Sequence, residues 1–148
     1  MIRIAKRLPK YDWKIYAYFP VTTFHTDDIM EHLWEIGVDS ANARRAYDNL
    51  QRGHLDTGFC YTNNNKRTTV IVLSKTSSAD EFLDSLTHEI CHACVHIAKV
   101  NNVPLHGEEL AYMIGDLCRE VYPDVKELLC DECRCKIYGE NGKGYERR

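Results

Sequence analysis

Between Phe82 and Val100 the chain runs without a glycine or a proline, and within that stretch stands His88-Glu89-Ile90-Cys91-His92. Ser78-Ala79-Asp80-Glu81 before it is an S-x-x-E capping box, and Asn101-Asn102 with Pro104 follow it, so both ends of a helix are marked. At about 100° per residue, Leu83, Leu86, Ile90, Cys94 and Ile97 make an apolar stripe, with His88 and His92 on the opposite side. Residues four apart lie one above the other on a helix, so these two imidazoles can aim at one point from a rigid support. Such a helix must be buried along one side and open along the other, and this requirement shapes everything around it.

Two neutral imidazoles suit a zinc ion, which in hydrolytic sites typically keeps three protein ligands and one open position. Glu89, beside the first histidine, is placed to take a proton from water attacking a carbonyl carbon. His96 continues the spacing but lies about 12 Å of axial rise from His88. It reads as a supporting or solvent-facing histidine rather than a ligand. The longer H-E-x-x-H-x-x-G-x-x-H pattern is not present, because position 95 is Val and position 98 is Ala. A third ligand must come from another element.

The next segment, beginning around His106-Gly107-Glu108-Glu109-Leu110-Ala111-Tyr112, reads as a second helix folded back after a short turn. Leu110, Ile114, Leu117, Cys118 and Val121 form its apolar stripe, and Pro123 marks its end. His106, Glu108 and Glu109 are its possible ligands. His88-Glu89-x-x-His92 followed by Glu108-x-x-Ala111-Tyr112-x-x-Gly115 resembles the gluzincin arrangement. More narrowly, it resembles small H-E-x-x-H proteins of phages, prophages and mobile elements that carry an E-x-x-A-Y continuation. That resemblance implies one zinc ion held by His88, His92 and Glu108, with Glu89 as general base. It also implies that Ala111 lets the two helices approach closely, and that Tyr112 orients a ligand or polarises a substrate carbonyl. The same stretch, read as His106-Gly107-Glu108, is similar to SprT-like zincins, with Leu110 where an aromatic residue usually stands. In that reading His106 is the alternative third ligand and the protein is a DNA-associated protease. Either resemblance covers only about Ser78 to Tyr122.

The remainder of the chain supplies a sheet and more helices. Trp13 to Phe19 alternates apolar and polar residues with the period of a half-exposed strand. Thr26 can cap a helix with Ile29, Met30, Leu33 and Trp34 inward, ending near Gly37; a second helix runs from about Ser40 to Gln51, with Gly53 beyond. Gly58 to Thr62 and Thr68 to Ser74 read as a hairpin joined by Asn63-Asn64-Asn65. Arg44 and Arg45 could suggest a helix-turn-helix, but Asp27, Asp28, Glu31, Glu35 and Asp48 surround them and would repel phosphate. Nucleic acid is therefore disfavoured as a partner. Residues 1–75 carry 11 Lys/Arg against 8 Asp/Glu, and residues 76–148 carry 8 against 14, so neither half is strongly basic.

The chain of 148 residues, 44% hydrophobic, suffices for one core. Its longest apolar run, Val70 to Leu73, excludes a membrane-spanning helix, and the basic segment Met1–Lys10 has no apolar region of a signal peptide. Seven cysteines, an odd number, together with the missing export signal point to a reducing cytoplasm. Cys91 and Cys94 fall toward the core side of the histidine helix. Cys130, Cys133 and Cys135 could hold a second, structural zinc if a fourth ligand arrived, for example from Cys118 or Cys60, and unpaired thiols near a loop are the favoured reading.

These readings combine into an α+β, zincin-like fold in which a small antiparallel or mixed sheet packs against the H-E-x-x-H helix and a second ligand-bearing helix. Residues 1–125 would form the domain, with the metal-site helices at about 78–122, and 126–148 a cysteine-containing segment and flexible tail. The implied function is zinc-dependent hydrolysis of a peptide or protein substrate through a metal-activated water. The alternatives are a catalytically weak zincin-fold protein for binding or assembly, and the SprT-like protease. No feature of the sequence marks an oligomeric state.

Overall fold

Trp13, Ile15, Ala17 and Phe19 point to one side of their strand, while Tyr16, Tyr18 and Val21 point to the other, and both sides are covered. The expected half-exposed strand is thus an interior one. A computed structural model describes residues 1–138. They form, in order, β1 (Ile2–Leu8), β2 (Trp13–Val21), α1 (Thr26–Glu35), α2 (Ser40–Arg52), β3 (Gly58–Asn63), β4 (Thr68–Ser74), α3 (Ala79–Val100), α4 (Glu108–Val125) and α5 (Asp131–Tyr138). The sheet is mixed, with spatial order β1-β2-β4-β3. β1 pairs antiparallel with β2, from Ile2 opposite Phe19 to Leu8 opposite Trp13. β2 pairs parallel with β4, and β3 closes the far side as an antiparallel hairpin partner of β4. The basic segment at the start of the chain therefore contributes a strand that charge alone had obscured.

One core lies between the sheet and the α3–α4 pair, built on Trp13, Ile15, Phe19, Ile71, Leu73, Phe82, Ile90, Ile97, Met113 and Leu117. The other lies between the sheet and α1–α2, around Tyr18, Ile29, Leu33, Ala43, Leu50, Val70 and Val72. The chain is thus α+β, with helices on both faces of the sheet. Among the described residues, no helix is long and apolar enough to cross a membrane.

Side-chain placement departs from the periodicity at several positions. Trp34, expected inward, is 55% exposed, because it lies about 100° around α1 from the buried Leu33. Ser78 caps α3 by accepting from the Glu81 amide at 3.3 Å, as expected. Leu86, Ile90, Cys94 and Ile97 of α3 are buried as expected, but the buried face extends to Phe82 rather than Leu83. Phe82 occupies the core, Leu83 is 51% exposed, and Cys91 is exposed while Cys94 is buried. On α4, which starts at Glu108 and continues past Pro123 to Val125, Met113 joins Leu110, Leu117 and Val121 in the core. Ile114 and Cys118 flank them half-buried, and Ala111 faces solvent, so it does not set the helix–helix spacing.

The segment after α4 packs back. Leu128 is buried in the core beneath α3 and α4, the Asp131 carboxylate accepts from the Ala79 amide at 2.9 Å, and the buried Arg134 guanidinium donates to the Thr76 and Ser77 carbonyls. The cysteine-containing segment is therefore anchored at the start of α3, partly as helix. The expected flexible tail from Gly139 lies outside the described residues.

Candidate active site

His88 and His92 project from the exposed face of α3 with their Nε2 atoms 3.0 Å apart and their ring centroids 4.7 Å apart. A tetrahedral zinc with Zn–N distances near 2.0–2.1 Å requires its nitrogens about 3.3 Å apart. The pair therefore already has nearly the bite of a zinc chelate. Both nitrogens must be unprotonated to ligate together, so metal would replace the hydrogen bond they now share.

Glu89 points around the helix toward β3 and is 6% exposed. Burial raises its pKa, and the neighbouring His88 and His92 oppose that shift. The close approach depends on Gly58, where an added Cβ would stand 2.8 Å from the Val72 carbonyl oxygen and 3.3 Å from Glu89 Cγ. Burial beside Glu89 also pushes the Cys60 thiol up to about 12, so it is an inert packing group rather than a nucleophile.

His96 is half-buried one turn beyond His92, its ring centroid 6.3 Å from that of His92. Its Nδ1 lies 2.9 Å from Thr62 Oγ1, which lies 2.9 Å from Thr69 Oγ1, which accepts from the Trp13 indole N–H at 2.9 Å. Burial lowers the His96 pKa, with His92 and Lys99 adding to the shift. Sequence reasoning missed this polar chain. Its only advance signal was that Thr62 and Thr69 stand opposite each other across the hairpin.

The expected third ligands lie elsewhere. His106 is exposed in the loop before α4. Glu108 and Tyr112 lie on the stripe of α4 opposite its buried face, where with Arg7–Tyr11, Asp116 and Arg119 they line a groove of about 490 Å³. Tyr112 is 69% exposed. Glu109 bonds the Tyr11 hydroxyl at 2.8 Å and the Lys10 ammonium at 2.9 Å, and these contacts hold its carboxyl low. Among the described residues no three His, Cys, Asp or Glu side chains are gathered as a metal-holding group. Cys130, Cys133 and Cys135 are likewise not gathered as such a group among the described residues, and Cys60 and Cys118 pack against the α3–α4 core. The site thus brings two imidazoles together at nearly a chelating distance beside a buried carboxylate, with no third candidate ligand gathered to them among the described residues.

No protein-family model, curated protein or solved structure matches the chain.

Proposed function

We propose that the chain is a zincin-type, zinc-dependent hydrolase of peptide bonds, with His88 and His92 as ligands and Glu89 as general base. The observation that carries this reading is the histidine pair at near-chelating distance beside a buried glutamate, on a helix laid against the edge strand β3. Bound zinc would supply Lewis acidity toward a peptide carbonyl and toward water. Glu89 would take and hand on the proton, and its burial raises its pKa in the direction that makes it a stronger base. The free edge of β3 offers backbone groups on which an extended peptide could align.

Zinc titration calorimetry with peptide cleavage tests this reading. His88→Ala and His92→Ala should abolish zinc binding, while Glu89→Gln should bind zinc and lose cleavage. Wild-type protein that takes up no zinc refutes the proposal. In the same titration Glu108→Gln and His106→Ala assign the third donor: the change that weakens zinc identifies it, and two silent changes assign the position to solvent or substrate.

The exposure of Tyr112 and Glu108, away from the histidines, favours a second reading as a binding or assembly protein that keeps the metal without catalysis. There, Glu89→Gln would leave the biological activity intact while His92→Ala removes it.

A further inference from the structure

Beyond His92, α3 and β3 continue to face each other across an open groove of about 550 Å³ lined by Asn42, Cys60, Tyr61, Thr62, Asn64, His96, Lys99 and Val100. Among the described residues its lining contains one ammonium and an imidazole but no carboxylate. The Lys99 ammonium makes no ion pair among the described residues. The groove on α4, by contrast, carries Glu108, Glu109, Asp116 and Glu120.

The polar chain behind His96 decides what its imidazole offers. The Trp13 indole can only donate, so Thr69 Oγ1 accepts from it. The Thr69 proton then has one hydrogen-bonding neighbour, Thr62 Oγ1, and the Thr62 proton goes on to His96 Nδ1. Thr62 also has the Cys60 thiol within hydrogen-bonding reach, but sulfur is a far weaker acceptor than an imidazole nitrogen, so the Thr62 proton is directed to Nδ1. Directed this way, the chain keeps Nδ1 an acceptor and leaves the proton on Nε2, which makes His96 an N–H donor.

We propose that this groove is a subsite for an acidic side chain of a bound peptide, its carboxylate taken by His96 Nε2–H and the Lys99 ammonium. As a substrate subsite it rests on the peptidase reading. Lys99 lies seven residues along the helix from His92, about 10 Å of rise, which an extended peptide spans in about three residues. The preferred acidic residue therefore sits two to three residues from the bond at the histidine pair.

Two arms separate this proposal from the peptidase reading. In the first, metal-free full-length protein is titrated with an acetylated, amidated hexapeptide carrying two central glutamates, and with its glutamine counterpart, while ring ¹⁵N resonances are followed. His96 should show a protonated Nε2. The glutamate peptide should shift it at concentrations at least about fivefold lower, a difference that Lys99→Met removes and added salt weakens. In the second, zinc-loaded protein is given a peptide library, and cut sites should carry Asp or Glu two to three residues away on one side. Equal responses to the two peptides, no response to either at millimolar concentration, a proton on Nδ1, or a difference that survives Lys99→Met overturns the subsite. Cleavage without acidic preference also overturns it and leaves the peptidase standing; discrimination in the first arm with no cleavage in the second does the reverse.

Discussion

Two glycines make opposite predictions from the same substitution, and together they test how β3 is seated on α3. At Gly58 an alanine Cβ would meet the Val72 carbonyl oxygen at 2.8 Å, Leu73 Cδ2 at 2.9 Å and Glu89 Cγ at 3.3 Å. The carbonyl cannot retreat freely, because Phe59–Val72 and Gly58–Leu73 are adjacent pairs of the β3–β4 ladder. Overpacking of this kind costs about 1–3 kcal/mol, and the reduced freedom of the unfolded chain returns only about 0.4–1 kcal/mol. A net loss of about 1–2 kcal/mol follows for Gly58→Ala. At Gly115 an added Cβ meets nothing within 4 Å on the exposed side of α4. There alanine should gain about 0.5–1 kcal/mol from helix propensity alone. The two variants should therefore differ by about 1.5–3 kcal/mol, or about 3–12 °C in Tm for a chain of this size. Urea denaturation with parallel slopes is the assay. Gly58→Ala as stable as wild type would mean that β3 does not lie against Glu89 as described. If Gly115→Ala is destabilised, the outward face of α4 is misplaced.

Thr69→Val keeps the side-chain shape but strips the acceptor from the buried Trp13 indole and the donor from Thr62; the cost should be about 1–3 kcal/mol by urea denaturation, and a loss under about 0.5 kcal/mol would contradict the chain of hydrogen bonds. His32 is buried against Tyr16 and Tyr18, bonds the Tyr18 hydroxyl through Nδ1, and has its pKa lowered by burial and then by Arg3. The unfolded chain thus binds this proton more readily, so its contribution is fully present above the ordinary value of 6.5 and declines as pH falls below it. Between about pH 7.5 and 5.5, His32→Gln should lose less stability than wild type, and an equal loss would assign the acid sensitivity to other groups.

Local features were legible in the sequence because their causes are local. The Ser78 cap, the approach of His88 and His92, the placement of Glu89 off the histidine face and the β3–β4 hairpin each follow from helix or strand periodicity over a few residues. Glu108 and Tyr112 show where such reasoning stops. Their four-residue spacing puts them on one face of α4, but that face looks toward Arg7–Tyr11 rather than toward the histidines. Leu110, Met113, Leu117 and Val121 decide this, since burying that stripe turns the other stripe outward. Leu83 and Cys91 were misplaced for the same reason, since the sheet and α4 together decide how far the buried face of α3 extends to either side of Leu86, Ile90, Cys94 and Ile97.

By itself, then, the sequence determined a capped helix carrying His88 and His92 one turn apart with Glu89 between them, a hairpin, and a chain with enough apolar residues for a core. Only the tertiary structure decided that β1 joins the sheet, that β2 and β4 run parallel with helices on both faces, that Thr62 holds His96, and that Lys99 stands in a groove lined, among the described residues, without a carboxylate. Periodicity states which residues share a face; which face docks, and against what, is settled by the apolar surface that all the elements bury together.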